Sequence, residues 1–111
     1  MTDWKIVYYS DSVMQFVDNL PVGIRACYAR IAERMVMHGP NPGMPYTRAM
    51  GEGLFEIRAR GSEGIARVFY CTAVGRKIVM LHGFVKKTDK TPEKELKIAV
   101  RRLHEVKHED A

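Results

Sequence analysis

The sequence has few of the residues that build disulfide or metal sites. It contains only two cysteines, and its four histidines show no spacing typical of a zinc site. Cys27 and Cys71 lie in apolar stretches, so we interpret them as reduced core residues rather than as a disulfide. The glycine-rich segments 51–53 and 61–64 lack the lysine of a phosphate-binding loop, and no serine nucleophile motif is present. These absences argue against a disulfide-stabilised secreted protein, a metal site and a phosphate-binding loop.

Long apolar runs are also missing. No segment is apolar over enough residues to span a bilayer, and residues 1–7 lack the basic leader and the apolar stretch of a signal peptide. The 111 residues, of which 46% are apolar, fit one globular domain that extends over residues 1–111. We therefore expect a single cytoplasmic domain that makes no contact with a membrane.

Positive charge is concentrated in the second part of the chain. The net charge is +5, and residues 1–47 contain four Lys and Arg against four Asp and Glu, whereas residues 48–111 contain fourteen against nine. Clustered cations gain affinity for a phosphate backbone because they release its counter-ions. Charge alone leaves two interpretations open: a surface that binds a polyanion, or a solvated basic surface that aids solubility.

Apolar periodicity and turn residues predict the order of the helices and strands. Residues 4–8 have the β-branched and aromatic composition of a strand, and apolar residues then recur at helical spacing in segments 13–20 and 21–38. Glycine and proline dominate residues 39–53, which we predict to be a loop. Three strands with short connections follow at Leu54–Arg60, Ile65–Thr72 and Arg76–Phe84, and a last helix begins at Thr91-Pro92.

This order, β-α-α-β-β-β-α, is typical of an α+β domain. The three consecutive strands are expected to form a meander, which makes the sheet mainly antiparallel. Each predicted helix has one apolar stripe, and we expect the helices to pack on one face of the sheet.

Arg67 is an unusual residue for the middle of an apolar strand. Strand alternation separates Phe55, Ile57 and Ala59 from Glu56, Arg58 and Arg60, and it places Arg67 on the opposite side from Ala66 and Val68. An arginine is expensive to bury unless it is paired or faces a polar cleft. Two explanations stay open here: a structural ion pair with Glu56, or an anion site beside Arg58.

The last predicted strand brings further functional groups to the same region. We expect Ile78, Met80, His82 and Phe84 to share a face, and cations follow the strand. A phosphodiester between such cations would have its developing charge stabilised, and Phe69 or Phe84 would be available to stack on a base, although both are also typical core residues. His82 is a candidate general base or a structural histidine. The residues expected to converge are Arg58, Arg60, Arg67, His82, Lys86 and Lys87.

The strand sequences resemble a known family of toxins. The residues that carry the resemblance are Leu54–Arg58 (LFEIR), Ile65–Tyr70 (IARVFY), Val79–Thr88 (VMLHGFVKKT) and Lys90–Pro92 (KTP). Together with the preceding helical hairpin they are similar to the phage-derived HigB-like branch of the RelE toxin superfamily. The resemblance covers most of the chain, and the ordered set is more specific than any single segment.

The resemblance implies a ribosome-associated endoribonuclease that cleaves mRNA without a metal or another cofactor. Its partners would be mRNA, the ribosome and a cognate antitoxin, which in this family is often a helix-turn-helix protein. Arg67 matches the strand arginine that stabilises the scissile phosphate, Arg58 matches a basic position on the preceding strand, and Lys87, beside Lys86, matches the cationic strand end. Two features depart from the RelE pattern: Glu56 stands where RelE has a lysine, and no tyrosine lies near the start of the last helix.

The mechanism that follows is attack of the RNA 2′-hydroxyl on the adjacent phosphate. Arg67 and Arg58 would stabilise charge, while Glu56 and His82 are the candidate proton acceptors. RNA-binding positions would be Arg60, Lys86, Lys90 and Phe84. We expect Arg67→Ala to remove most activity and leave the fold intact. The alternatives are a non-catalytic module of the same fold that binds RNA or an antitoxin, and a structural phage-derived protein.

Overall fold

The computed structural model describes residues 3–86 and 92–110, which form eight helices and strands. In chain order these are β1 (Lys5–Tyr8), α1 (Asp11–Asp18), α2 (Val22–His38), β2 (Thr47–Gly51), β3 (Leu54–Gly61), β4 (Gly64–Ala73), β5 (Lys77–Lys86) and α3 (Glu93–Asp110). The α+β class is confirmed. All of the predicted elements are present, and β2 is an addition to them.

Local hydrogen bonds explain where the first two helices begin. The hydroxyl of Ser10 accepts from the backbone N–H of Val13 and caps α1. Pro21, which precedes α2, provides no side-chain cap. The carboxylate of Glu63, in the turn between β3 and β4, instead accepts from the N–H of Gly23 at 2.8 Å. This bond lowers the pKa of Glu63 and ties the start of α2 to the sheet.

The five strands form one mixed sheet in the order β1-β5-β4-β3-β2. The chain-consecutive strands β2, β3, β4 and β5 pair antiparallel, as expected for hairpins, while β1 pairs parallel to β5. The predicted antiparallel character therefore describes every pairing except that of β1.

The loop predicted over residues 39–53 is wrong for its second part, because Thr47–Gly51 is a strand. The prolines of this segment all precede residue 46, so they do not interrupt the pairing of β2 with β3. Thr47 is fully buried; its hydroxyl donates to Asn41 Oδ1 at 2.7 Å and accepts from the N–H of Gly43. These bonds attach the irregular residues 41–43 to the beginning of the strand.

The prediction that all helices pack on one face is also wrong. Helices α1 and α2 cover one face, with Ile24, Tyr28 and Met35 packed against strand residues such as Ile57 and Val68. Helix α3 covers part of the other, where Ala99 and Leu103 pack in a second cluster. The two faces are called the α1/α2 face and the α3 face below. The reason is that β4 and β5 are apolar on both sides, so each side needs a covering helix.

A β-bulge changes the predicted faces of β5. His82 lies opposite Phe69, but the next pair is Tyr70 with Met80, so Leu81 is the extra residue. Ile78 and Met80 consequently pack in the α1/α2 cluster, whereas Leu81 and Phe84 pack in the α3 cluster. The expectation that Ile78, Met80, His82 and Phe84 share one face is therefore wrong.

The scarce residue types have ordinary structural positions. Cys27 and Cys71 are free thiols, and burial raises the pKa of Cys71. Within residues 3–86 and 92–110, no three His, Cys, Asp or Glu side chains come together as a metal site would require. None of the helices in these two ranges is long and apolar enough to cross a membrane.

Candidate functional site

The charged residues predicted from the sequence lie on the α3 face. Helix α3 contacts β4 and β5 and extends along them, so its apolar residues cover the part of the face that these two strands form. The neighbouring part, formed by β2 and β3, presents Arg48, Glu56 and Arg58. Two environments therefore meet on one face: an apolar one under α3 and a charged one beside it.

Strand register brings the predicted residues together in adjacent rows. Arg58 pairs with Arg67 and Arg67 with Phe84, while Glu56 pairs with Phe69 and Phe69 with His82. Because side chains directly opposite each other in an antiparallel pair point to the same face, these residues share the α3 face. The described residues of the predicted site that the register places there are Glu56, Arg58, Arg60, Arg67, His82, Phe84 and Lys86. Lys87 and Lys90 lie outside the described residues.

Glu56 and Arg67 form a buried ion pair. Arg67 Nη1 donates to Glu56 Oε1 at 2.9 Å and to Oε2 at 3.1 Å, with 0% of Glu56 and 3% of Arg67 exposed. Arg48 Nη2 approaches Glu56 Oε1 at 3.3 Å from the solvent side. The structural explanation for Arg67 is therefore confirmed, and its role at a phosphate stays a prediction beside it.

This ion pair changes the expected result of Arg67→Ala. Among the described residues, removal of Arg67 would leave the fully buried carboxylate of Glu56 with the partly exposed Arg48 as its ion-pair partner. A buried charge that loses its partner destabilises a fold by about 3–5 kcal/mol. We therefore no longer expect the fold of Arg67→Ala to be as stable as that of the wild type.

Arg58 lies directly across from Arg67, so two guanidinium groups are neighbours on the sheet. Burial, and then the positive charges of Arg67 and Arg60, lower the pKa of Arg58. Its Nε is buried and makes no hydrogen bond to any residue that the structure describes. Like charges opposite each other are unfavourable in a free sheet, so this arrangement is one that a bound anion would stabilise.

His82 has a carboxylate partner on α3. Its Nε2 lies 2.9 Å from Oε1 of Glu95, with side-chain exposures of 17% for His82 and 22% for Glu95. Glu95 lies in the first turn of α3, where a negative charge is favoured by the helix dipole. The pair joins β5 to the first turn of α3 and is partly exposed to solvent.

Three other predicted RNA-binding positions differ in their accessibility. Arg60 is exposed at the edge of the face. Phe84 is 8% exposed, and its ring centroid lies 6.0 Å from that of Phe69, so it packs in the core. Lys86 is also 8% exposed. Base stacking on Phe84 and backbone contact by Lys86 stay predictions, and both would need these side chains to become more accessible.

Sequence reasoning missed two residues of this site, Arg48 and Glu95. Arg48 was placed in the predicted loop, although its position after Thr47 and before a Gly-Glu-Gly turn is compatible with a short edge strand. No role is predicted for Glu95 from the sequence. No signal in one sequence connects it with His82, because the contact depends on how α3 lies across β5.

Comparison with known proteins assigns the chain to a family. The family described as “Phage derived protein Gp49-like (DUF891)” matches residues 15–104, which include every described residue of the site. The search of curated proteins finds no match. The family is related to toxin–antitoxin systems. Because the match extends over more than half of the chain, this protein belongs to the phage-derived Gp49-like family.

Proposed function

We propose that this protein is the toxin of a type II toxin–antitoxin system and a member of the RelE/HigB-like superfamily. It acts as a metal-independent endoribonuclease on mRNA at the ribosome and so inhibits translation. A cognate antitoxin, a helix-turn-helix protein, neutralises it. The observation that carries the proposal is the cross-strand pair of Arg58 and Arg67 on a sheet face that α3 leaves partly uncovered. Membership of a toxin–antitoxin related family supports it.

The reaction is an internal transesterification of RNA. The 2′-oxygen forms a bond to the adjacent phosphorus, the bond from phosphorus to the 5′-oxygen breaks, and the products are a 2′,3′-cyclic phosphate and a 5′-hydroxyl. Negative charge builds on the phosphoryl oxygens in the transition state, and preorganised cations stabilise it. Arg58 and Arg67 provide this stabilisation, and Lys86 and Lys87 hold the backbone.

The bonds to Glu56 explain why Arg67 is held rigidly. Nη1 donates to both oxygens of a fully buried carboxylate, which holds the end of the side chain in place, so little reorganisation is needed when charge develops on the phosphate. The exposed Arg48 and Arg60 extend positive charge along the edge of the same face. Such a gradient from exposed to buried cations favours the approach of a polyanion.

A non-catalytic role in RNA or antitoxin binding is the second candidate. The observation in its favour is the 3% exposure of Arg67, because a phosphate would reach only a small part of this side chain in the present conformation. Both candidates need the cations, but only the ribonuclease produces new RNA ends.

Induction in bacteria tests the proposal. The wild type and Arg58→Gln are expressed with and without the gene beside the natural locus, and RNA 5′ ends are mapped by primer extension. We expect the wild type to arrest growth and to generate new 5′-hydroxyl ends in mRNA, and we expect Arg58→Gln to do neither. Unchanged growth and no new ends with the wild type would contradict the proposed function. Growth arrest without new ends would favour the binding module.

A further inference from the structure

We infer that His82 is the proton acceptor of the proposed cleavage and that Glu95 is the positioning residue that orients it. The inference rests on the proposed ribonuclease function and decides between the two candidate proton acceptors. The juxtaposition that carries it is the contact between His82 Nε2 and Glu95 Oε1 at 2.9 Å.

Glu56 is a poor candidate because its oxygens are already occupied. Both accept from Arg67 Nη1, and Oε1 also lies 3.3 Å from Arg48 Nη2. The side chain has no solvent-exposed surface, so a 2′-hydroxyl cannot reach it without displacement of an arginine. Protonation would also leave two guanidinium groups without their shared counter-charge. Glu56 therefore holds Arg67 and does not move a proton.

His82 has the accessibility that Glu56 lacks. The bulge at Leu81 turns two consecutive residues of β5 towards the α3 face, with Leu81 buried and His82 17% exposed at the border of the covered area. His82 on β5 pairs with Phe69 on β4, and Arg67 lies two residues before Phe69 on the same strand. Diagonal neighbours in an antiparallel sheet are roughly 7–8 Å apart, a distance that one phosphodiester group can bridge.

The contact with Glu95 selects one tautomer of the imidazole. An ionised carboxylate is only an acceptor, so Nε2 must carry the proton and Nδ1 is left with its lone pair. Within the described residues, the bond to Glu95 is the hydrogen bond that the His82 side chain makes. Nδ1 can thus take the proton of the 2′-hydroxyl while the oxygen bonds to phosphorus, and Glu95 stabilises the imidazolium that results. The departing 5′-oxygen takes a proton from solvent.

The charges around His82 come from several elements. Glu95 and Arg102 approach from α3, and Arg102 Nη1 donates to the carbonyl of the adjacent Leu81 at 2.7 Å. Arg67 lies on β4, and Lys86 follows on β5 itself. Among these charged groups, Glu95 is the carboxylate in contact with His82.

Rate measurements on programmed ribosomes test the inference, with Glu93→Gln as the matched control for Glu95→Gln. Glu93 lies on the same helical turn but is 80% exposed and pairs with Lys97. We expect His82→Gln to lower the cleavage rate by roughly 10²–10⁴-fold and Glu95→Gln by about tenfold or more. Added imidazole should partly restore cleavage by His82→Gly. Glu93→Gln should retain the rate of the wild type.

Nitrogen-15 spectra of the imidazole provide a readout that needs no activity. We expect the wild type to show the proton on Nε2, and we expect Glu95→Ala to show a mixture of tautomers. A wild-type enzyme that cleaves mRNA while Glu95→Gln keeps its rate would overturn the inference alone, as would a proton on Nδ1 in the wild type. Absence of cleavage by the wild type would overturn the ribonuclease function, and the role of His82 with it.

Discussion

The two faces of the sheet differ in how completely they are covered. The α1/α2 face is apolar across β3, β4 and β5, and its core residues Ile57, Val68 and Met80 are fully buried. The α3 face has an apolar half under the helix and a charged half on β2 and β3, where Glu56 is buried among arginines. A fold that required only stability would gain from apolar residues at these positions, because buried ion pairs seldom add stability over apolar side chains of similar volume. We attribute the charged half to function.

Removal of Arg67 should have the largest effect on both stability and activity. We expect Arg67→Ala to lower the free energy of unfolding by about 3–5 kcal/mol, because Glu56 loses the arginine that donates to both of its oxygens. Urea denaturation measures this change. Arg48→Ala is the control, since it removes the exposed partner of the same carboxylate and should lower stability by no more than about 1 kcal/mol. Equal effects of the two substitutions would contradict the assignment of Arg67 as the main partner of Glu56.

Ile57 and Arg58 are adjacent on β3 and point to opposite faces, so they separate stability from activity. Ile57 is fully buried on the α1/α2 face, and we expect Ile57→Ala to lower the free energy of unfolding by about 2–5 kcal/mol. Cleavage per folded molecule should not change. A specific loss of cleavage in this variant, measured at a temperature where it remains folded, would show that the two faces are not independent.

Arg58→Gln should lower cleavage without lowering stability, which is the opposite of the result expected for Ile57→Ala. Because burial and the neighbouring arginines lower the pKa of Arg58, its charged form is less favourable in the folded state than in the unfolded state. Removal of the charge should therefore leave the urea midpoint unchanged or raise it, while cleavage falls by about 10²–10³-fold. A clear loss of stability would indicate that Arg58 is a structural residue.

The smallest expected effect on stability is that of replacing Glu63, whose carboxylate ties α2 to the sheet. The backbone N–H of Gly23 lowers the pKa of Glu63, so the ionised side chain stabilises the fold above its ordinary pKa, and this contribution is lost as the pH falls through the lowered value. We expect Glu63→Gln to lower the urea midpoint slightly at pH 7 and to match the wild type near pH 3. A difference that is independent of pH would exclude the ionised carboxylate as its cause.

The sequence determines the face of β3 and β4 residues better than that of β5 residues. Strand alternation correctly separates Ile57 from Arg58 and Val68 from Arg67, because β3 and β4 pair without an irregularity over these positions. The bulge at Leu81 shifts β5 by one residue, and the signal for it in the sequence is Gly83, since a glycine inside a strand often marks a bulge. A regular alternation was therefore the wrong assumption for His82.

The side of the sheet that α3 covers and the partner of Arg67 depend on long-range packing, which the sequence does not reveal. The apolar stripe of α3 predicts a helix that packs, but it contains no information on which side of the sheet it covers, since β4 and β5 are apolar on both sides. The same holds for Arg67, for which the sequence supports an ion pair and an anion site equally. Register then provides the partner: the structure shows the ion pair with Glu56, and the anion site stays a prediction.

Replacement of the whole ion pair tests most directly whether the charged half of the α3 face is kept for function. In Glu56→Gln/Arg67→Met neither side chain carries a charge, so no buried charge is left without a partner. Our account predicts a urea midpoint close to or above that of the wild type, together with loss of new mRNA 5′ ends on programmed ribosomes. Wild-type cleavage by this double variant would contradict the account, because the ion pair would then serve only the fold.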